Sequence, residues 1–279
     1  MHGAAAAKLG GLAGAGKRQR IQCQNCPRAH RCLPSSVVHL AHPHSVGTVL
    51  TPLSMWLRTA GFLAALAGIL SLIMIVPAIA LGVSDRWEVW AGALFYWVFF
   101  TQGTGLRAVR HGEFADRKRD RQVRSARGRF VAAITVPGLL LAHWISIAAL
   151  AGSADVPGAM GFLAVAGVVL AFTGLVVNYT ATRTLGRFFD RLTVKEGHEL
   201  ITHGIYGVVR HPIYTSYLCL FFSFPLVTGS LWGLVAMGLV CAIWFGNRIP
   251  TEEAMLEEAF GQAYQSYRES TKRLIPLIY

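Results

Sequence analysis

Long apolar runs constrain this chain more than any other feature of its sequence. Runs with almost no charged residues occupy 59–83, 89–106, 130–150 and 158–182. A helix needs about 20 apolar residues to cross a bilayer, which is close to the length of each run. A fifth run, 212–247, is too long for one crossing. Because apolar and polar residues do not alternate within the runs, strands cannot account for them. The sequence therefore predicts an all-α, polytopic integral membrane protein.

The fifth apolar run contains its own interruption. Pro225 and the turn signal Thr228-Gly229-Ser230 lie in its middle. A proline followed by a glycine-containing turn ends a helix, so we expect two shorter helices folded as a hairpin. The prediction is then about six transmembrane helices, the last two forming the hairpin, followed by a cytoplasmic C-terminal helix.

The basic residues predict which side of the membrane each loop faces. Only 14% of the residues are charged, yet the formal net charge is +12. Lys and Arg concentrate in 107–129 and 183–210, whereas 84–88 and 151–157 hold few. By the positive-inside rule the two basic loops and both termini are cytoplasmic. The basic loops lack the interleaved aromatic residues of a nucleic-acid site, so anionic lipid headgroups are the better partner. A composition rich in Ala, Gly, Arg and Val favours a bacterial inner membrane over an endoplasmic reticulum.

Residues 1–54 differ in composition from the predicted membrane domain at 55–279. They hold an Ala/Gly-rich start and a compressed cluster made of Cys23, Cys26, His30 and Cys32. This spacing is too tight for a common zinc site and lacks apolar residues to pack around a metal, so we predict a disordered extension and no metal. The extension does not resemble a cleavable signal peptide, because no apolar core follows its basic residues. A true start at Met55 stays open.

The polar stretch ahead of the hairpin concentrates groups suited to chemistry. Gly197, Gly204 and Gly207 allow the backbone to approach a ligand closely. Pro212 stands where the next helix begins, with Arg210 and His211 directly before it. A helix N-terminus beside two basic groups favours an anion, so we expect Arg210 to face a negatively charged partner.

A second polar stretch, 248–267, follows the hairpin and begins with Glu252 and Glu253. Taken alone, it is typical of a surface helix that lies on a membrane. A hairpin leaves and returns on the same side, however, so these carboxylates should meet Arg210 and His211 at one cytoplasmic mouth. Such a meeting of cations, carboxylates and aromatic residues is typical of a functional site.

These residues, in this order, resemble the isoprenylcysteine carboxyl methyltransferase family. The resemblance rests on Gly204-Ile205-Tyr206, on Arg210-His211-Pro212-Ile213-Tyr214, and on the pattern R-x3-E-E-x2-L-x3-F-G-x2-Y-x2-Y that begins at Arg248. It covers 182–279, and a looser similarity connects the chain to phospholipid methyltransferases. Members of the family are integral membrane enzymes that use S-adenosylmethionine without a Rossmann domain. This chain likewise lacks a glycine-rich dinucleotide fingerprint.

The resemblance implies roles for individual residues. Arg210 and Glu253 would be catalytic, with Arg210 orienting a carboxylate acceptor and a glutamate of the tail fixing the arginine. The S-adenosylmethionine pocket would be formed by His198, Leu200, Tyr206, His211, Pro212, Tyr214, Glu252 and Tyr264. Carboxylates and aromatic faces attract a sulfonium, which supports this assignment on physical grounds. The acceptor would be lipophilic or small and would meet the site among membrane lipids. Its identity, its reacting atom (O, N or S) and the oligomeric state stay open.

Two alternatives stay open as well. Membrane sterol and lipid reductases have a similar terminal architecture and bind a reduced nicotinamide cofactor. Their motif continues from His-Pro into Asn-Tyr-x-Gly-Glu, whereas this chain continues with Ile213-Tyr214-Thr215-Ser216-Tyr217, which favours the methyltransferase. A non-enzymatic membrane scaffold would instead use the basic loop as its interaction surface.

Overall fold

The structure, a computed structural model, describes residues 52–111, 125–152, 159–186 and 200–276. Within these ranges the regular elements are helices, together with one isolated parallel bridge between Val209 and Lys272. The Cys/His cluster of the N-terminal extension, most of the first basic loop and His198 lie outside the described residues. The predictions of disorder and of no metal for the extension are therefore untested.

The described residues form eight α-helices in chain order. These are α1 (Pro52–Leu70), α2 (Val76–Ala80), α3 (Trp87–His111), α4 (Ala126–Gly152), α5 (Ala159–Leu185), α6 (Pro212–Val227), α7 (Leu231–Phe260) and α8 (Gln262–Ser270). A π-helical turn, Ser71–Ile75, joins α1 to α2 so that the two continue one apolar segment. A short 3-10 turn, Gly204–Gly207, precedes α6.

Four segments are long and apolar enough to cross a membrane: Thr59–Ala80, Ala126–Gly152, Gly161–Leu185 and Leu231–Phe260. The chain is thus an integral membrane protein, as predicted. The other two predicted segments are also helical, as α3 and as the shorter apolar helix α6. Each of the six predicted segments therefore forms a helix, while the number that cross the membrane stays a prediction.

Helices α5 and α6 pack most extensively, because glycines let their backbones approach. A Cβ built on Gly167 would lie 2.7 Å from the carbonyl oxygen of Ser223. A Cβ on Gly174 would lie 3.1 Å from the carbonyl oxygen of Ser216. Backbone atoms cannot rotate away as side chains can. A larger residue at position 167 of α5 would therefore collide with the backbone of α6.

Polar side chains form hydrogen bonds between α5 and α6, between α3 and α5, and between α3 and α4. Asn178 Nδ2 donates to Ser216 Oγ at 3.1 Å, and Gln102 Nε2 donates to Asn178 Oδ1 at 3.2 Å. On the other side of the bundle, the Nε2 of His143 lies 2.8 Å from the hydroxyl of Tyr96. His143 and Asn178 thus serve as polar contacts between helices.

The fifth apolar run divides into two helices at the predicted turn. Helix α6 ends at Val227, Gly229 adopts a φ of +63°, and α7 begins at Leu231. The Ser230 side chain caps α7 by accepting from the Gly233 N–H at 3.0 Å. The pair is antiparallel, since the Tyr214 ring near the start of α6 lies 5.3 Å from the Phe245 ring, well along α7.

The tail differs from the prediction. The glutamate pair does not begin a new helix, because α7, 30 residues long in all, continues through Pro250 and ends at Phe260. The separate C-terminal helix, α8, begins only at Gln262. The residues around the glutamate pair, mainly Ala, Met, Leu and Glu, are strong helix formers, so the helix persists where the sequence turns polar. Gly261, with a φ of +53°, then breaks the chain before α8. Glu252 and Glu253 consequently stand on the same rigid helix as the hairpin.

After α8 the chain returns to the start of α6. We call residues 271–274 the C-terminal strap. The Arg210 N–H donates to the Lys272 carbonyl oxygen at 2.8 Å, and the His211 N–H donates to the Arg273 carbonyl oxygen at 3.1 Å. The Thr215 hydroxyl donates to the Leu274 carbonyl oxygen at 2.7 Å. The strap thereby fixes the backbone that carries Arg210 and His211.

The close approach of α5 and α6 yields a stability prediction. We expect Gly167→Ala to lower the melting temperature in detergent, because overpacking costs about 1–3 kcal/mol against a helix-propensity gain of at most about 1 kcal/mol. Gly161→Ala, in the same helix, is the control, since no atom lies within 4 Å of a Cβ built there. Equal melting temperatures for the two variants would contradict the close packing.

Candidate functional site

The site forms where the start of α6, the polar end of α7 and the C-terminal strap meet. Arg210 and His211 come from the first element, Glu252 and Glu253 from the second, and Arg273 from the third. Pro212 is buried at the first position of α6, and its fixed φ suits a helix start. Three chain segments distant in sequence therefore converge on one glutamate pair.

Glu253 is the centre of this convergence and is only 5% exposed. The Nε and Nη2 atoms of Arg210 each donate to its Oε1 at 3.3 Å. Arg273 Nη2 donates to Oε2 at 2.7 Å, and Arg273 Nε donates to Oε1 at 3.1 Å. His211 Nε2 lies 3.2 Å from Oε1, and a carboxylate only accepts, so this nitrogen carries the hydrogen. A buried charge needs such compensation to remain ionised.

Arg210 directs its donors to the protein itself. Besides Glu253, its Nη1 contacts the carbonyl oxygen of Arg268 at 2.9 Å and the carbonyl oxygen of Thr271. Its side chain is only 8% exposed. The predicted pairing of Arg210 with a tail glutamate is present. The negatively charged partner that Arg210 faces is thus Glu253, and its remaining contacts hold the end of α8 and the strap.

Glu252 occupies a more open position, with 28% of its side chain exposed. The Tyr214 hydroxyl donates to Glu252 Oε2 at 2.6 Å and accepts from Arg248 Nε at 2.9 Å. The Nδ1 atom of His211 lies 3.9 Å from the same carboxylate oxygen. The two neighbouring glutamates therefore differ, since Glu253 is enclosed by basic groups whereas Glu252 is accessible.

Two buried tyrosine hydroxyls, those of Tyr206 and Tyr264, have no hydrogen-bond partner in the part of the chain that the structure describes. Leaving a buried hydroxyl unpaired costs about 1–3 kcal/mol, so two such groups in one site call for an explanation. By contrast, the Tyr267 hydroxyl donates to the Tyr206 carbonyl oxygen at 2.6 Å. The unpaired hydroxyls are available to a ligand.

The protonation of these tyrosines follows from their surroundings. Burial raises the pKa of Tyr206 well above its usual value, and the Glu252 carboxylate raises this pKa further. Burial and the Glu253 carboxylate likewise raise the pKa of Tyr264, while burial raises the pKa of Tyr267 to about 12. All three phenols are therefore neutral at physiological pH, and each keeps a hydrogen to donate.

An apolar cleft of about 400 Å³ extends from this site along the outside of the hairpin. Its walls come from α6, α7 and the strap, and the lining residues are Leu218, Phe222, Gly238, Cys241, Ala242, Phe245, Gly246, Ile249, Pro250, Arg273 and Leu274. Arg273 is the one charged residue among them. The cleft thus connects the apolar surface of two helices with the cluster around Glu253.

The structure brings together eight of the ten predicted site residues. Six of them are Arg210, His211, Pro212, Tyr214, Glu252 and Glu253, and Tyr206 and Tyr264 lie near the glutamates. Tyr264 lies close enough to Glu253 to be affected by its charge. Leu200 is half-buried at the start of the last described range, without a contact that assigns it to the site, and His198 lies outside the described residues. Sequence reasoning missed Arg273, because a basic residue near a C-terminus carries no local signal of burial. It included Tyr267 only as the last position of the motif that begins at Arg248 and gave it no role.

The part of the chain that carries this site is similar to known proteins. The sequence model of the phospholipid methyltransferase family matches residues 162–263, which include the whole of α6 and both glutamates. A probable protein-S-isoprenylcysteine O-methyltransferase of Oryza sativa subsp. indica is 33% identical over 120 residues, covering 42% of this chain and 63% of the relative. Protein-S-isoprenylcysteine O-methyltransferase A of Arabidopsis thaliana is 32% identical over 115 residues, covering 40% and 58%. The corresponding protein of Schizosaccharomyces pombe is 32% identical over 123 residues, covering 43% and 49%.

The chain spans less than two thirds of the length of these relatives. The resemblance to isoprenylcysteine methyltransferases predicted from the motifs is confirmed. All three relatives are eukaryotic, so they do not support the bacterial membrane that the composition favoured. A solved structure of the eukaryotic intramembrane Ras methyltransferase, isoprenylcysteine carboxyl methyltransferase, is 20% identical and covers 81% of this chain and 85% of its own, with a TM-score of 0.49.

The cluster around Glu253 yields a second stability prediction. We expect Glu253→Gln to destabilise the protein by about 3–5 kcal/mol, because the buried guanidinium groups would face a neutral amide. The control is Glu257→Gln, one helical turn further along α7, where the carboxylate is 37% exposed and lies 3.6 Å from Arg268. This variant should lose less than about 1 kcal/mol. Thermal unfolding in detergent distinguishes the two, and similar losses would contradict a central role for Glu253.

Proposed function

We propose that this chain is an integral-membrane S-adenosylmethionine-dependent methyltransferase that methylates the carboxylate of a lipophilic or small acceptor. One observation carries the proposal: the accessible carboxylate of Glu252 and the unpaired buried hydroxyls of Tyr206 and Tyr264 belong to the cluster around Glu253, and Arg273 of the same cluster lines an apolar cleft. The relatives named as protein-S-isoprenylcysteine O-methyltransferases support it, with 33% and 32% identity over 120 and 115 residues. The match of the phospholipid methyltransferase family to residues 162–263, which include both glutamates, also supports it. A prenylated cysteine, as in the names of these relatives, is one acceptor of the proposed class.

The residues present fit the proposed cofactor. Glu252 offers an accessible negative charge, which suits a sulfonium, and the neighbouring tyrosine rings offer aromatic faces. The unpaired hydroxyls of Tyr206 and Tyr264 can each donate a hydrogen bond to polar groups of a bound molecule. The residues proposed to hold the cofactor are Tyr206, His211, Pro212, Tyr214, Glu252 and Tyr264, together with Leu200 and His198.

In this mechanism the protein aligns its substrates and excludes water. S-adenosylmethionine supplies, when bound, an activated methyl group whose transfer forms an ester C–O bond and breaks an S–C bond. A carboxylate acceptor is already ionised at neutral pH, so the chain needs no general base. A guanidinium of the Glu253 cluster, Arg210 in the prediction from the sequence, holds the acceptor carboxylate in line and away from bulk water. Glu253 keeps that guanidinium in place.

We also propose that six helices cross the membrane and that the site and both termini face the cytoplasm. The basic residues on the loops after α3 and α5 support this orientation through the positive-inside rule. Helix α6, with 16 residues, is shorter than a typical transmembrane helix, but it packs beside α7, which has 30 residues and is long enough to cross the membrane.

Cysteine labelling tests this orientation. Asp85 lies between α2 and α3, His203 lies ahead of α6, and both are exposed. Each is replaced by cysteine in a variant from which the native cysteines have been removed. We expect a membrane-impermeant maleimide to label Asp85→Cys in intact cells and His203→Cys only after permeabilisation. Labelling of both positions from the same side would overturn the proposed topology.

Methyl transfer itself is tested with purified protein in nanodiscs, S-adenosylmethionine carrying a labelled methyl group, and a membrane lipid extract. We expect label that alkali releases as methanol, because methyl esters hydrolyse in base whereas N-methyl and S-methyl groups do not. A label that resists alkali would support the methyltransferase activity but exclude a carboxylate as the acceptor. Saturable binding of a reduced nicotinamide dinucleotide without methyl transfer would instead favour the reductase alternative.

The unpaired hydroxyls separate a cofactor role from a structural role. We expect Tyr206→Phe and Tyr264→Phe each to weaken S-adenosylmethionine binding about fivefold, the equivalent of one hydrogen bond of about 1 kcal/mol. Their melting temperatures without ligand should stay equal or rise, since no internal partner is lost. Tyr267→Phe is the matched control, because its hydroxyl already has a partner. It should lower the melting temperature and leave the affinity less affected. The reverse pattern, measured by calorimetry, would place the cofactor elsewhere.

A further inference from the structure

His211 lies between the two members of the glutamate pair and is only 3% exposed. Its Nε2 atom is 3.2 Å from Glu253 Oε1, and its Nδ1 atom is 3.9 Å from Glu252 Oε2. One ring nitrogen therefore faces each carboxylate. Nε2 carries a hydrogen because a carboxylate only accepts, and a second hydrogen on Nδ1 would turn the ring into a cation with an anion on either side.

The two carboxylates differ in how much a charge on His211 can affect them. Glu253 is buried and already accepts hydrogen bonds from the guanidinium groups of Arg210 and Arg273. Glu252 keeps 28% of its side chain exposed. A proton on Nδ1 therefore acts mainly on Glu252, because this carboxylate is the nearer one to Nδ1 and its charge is accessible to a ligand.

Histidine is the residue type that makes this arrangement sensitive to pH. Between about pH 5.5 and 7.5, guanidinium groups keep their charge, phenols keep their hydrogen and carboxylates are ordinarily ionised. Imidazole is the side chain whose ordinary titration falls within that range. The elements around His211 contribute groups of the first three kinds: Arg210 and Tyr214 near the start of α6, Arg248 and both glutamates on α7, Tyr206 in the 3-10 turn, Tyr264 on α8, and Arg273 in the strap.

A sulfonium and a protonated His211 would depend on the same carboxylate. In the proposed function, Glu252 offers its negative charge to the sulfonium of S-adenosylmethionine. A positive charge on Nδ1 would partly compensate that carboxylate and would repel a second cation in a partly buried site. Methyl transfer leaves S-adenosylhomocysteine, whose sulfur is a neutral thioether. The protonation of His211 therefore affects binding of the charged cofactor far more than binding of its product.

We propose that His211 distinguishes the charged cofactor from its neutral product through a proton on Nδ1. The ring gives this proton to water when the sulfonium is bound beside Glu252. Once the methyl group has passed to the acceptor and the sulfur is neutral, the ring takes a proton back from water, so one turnover leaves it unchanged. The preference of the site for sulfonium over thioether is thereby set by pH. This inference rests on the proposed function, since it names the residue of the same site that sets this preference.

The pH dependence of ligand affinity tests the inference. Calorimetry is performed with the full chain in phosphatidylcholine nanodiscs between about pH 5.5 and 7.5. We expect the affinity of wild type for S-adenosylmethionine to rise about tenfold over this range, and its affinity for S-adenosylhomocysteine to change less than about twofold. The rise follows because binding of the sulfonium favours the deprotonated ring.

Two histidine variants separate the role of His211 from a general effect of pH. His211→Gln keeps an N–H donor for Glu253 but cannot take up a proton, so each of its two affinities should change less than about twofold. Its binding of S-adenosylhomocysteine shows that the site remains folded. His203→Gln is the matched control, because His203 is an exposed histidine ahead of α6, and this variant should behave as wild type.

Proton release provides an independent measurement, since calorimetry in buffers of different ionisation enthalpy counts the protons exchanged on binding. We expect wild type to release protons, about one at most, for each S-adenosylmethionine bound, with the largest release inside this pH range. It should release none with S-adenosylhomocysteine. His211→Gln should release none with either ligand.

Each contrary outcome has a distinct meaning. If the two ligands show the same pH dependence in wild type, or if His211→Gln keeps the pH dependence for S-adenosylmethionine, the role of His211 is overturned and the proposed function stands. Wild-type protein that binds neither ligand contradicts the proposed function itself. Should His211→Gln bind neither ligand, the proton count of wild type decides, and a count of zero with S-adenosylmethionine overturns the inference.

Discussion

The rest of the site depends on one buried carboxylate. Glu253 accepts hydrogen bonds from residues 43 positions earlier and 20 positions later in the chain. A carboxylate removed from water is costly unless cations surround it, so its burial requires Arg210, His211 and Arg273 to converge. Because Arg210 and His211 precede α6, Glu253 lies on α7 and Arg273 lies in the strap, satisfying one charge fixes these three segments together.

Helix α7 makes this arrangement possible because it combines a long apolar part with a polar end. Its first part carries apolar residues on a segment suited to the bilayer, and its last part carries the glutamate pair. A helix satisfies its backbone hydrogen bonds internally, so it can continue from hydrocarbon into water without interruption. The apolar cleft and the charged cluster are therefore both held on α7, which fixes their position relative to each other.

Much of the fold could be predicted from local patterns. The apolar runs predicted six helical segments, and Pro225 with the glycine turn predicted the break between α6 and α7. The tail was misjudged because a change from apolar to polar residues marks a change of surroundings, which does not require a helix to end. Gly261, the residue that does end α7, lies eight residues beyond the glutamate pair.

The sequence by itself determined the medium, the helices and the residue types of the site, because hydropathy, helix breakers and motif order are properties of neighbouring residues. It also placed Arg210 and Glu253 at one mouth, since a hairpin returns to the side it left. Only the tertiary structure decided that the chain returns after α8 and that Arg210 is enclosed while Arg273 lines the cleft. It also decided that two tyrosine hydroxyls have no partner among the described residues. Burial and pairing depend on the atoms that surround a group, and for Arg273 those atoms come from residues distant along the chain.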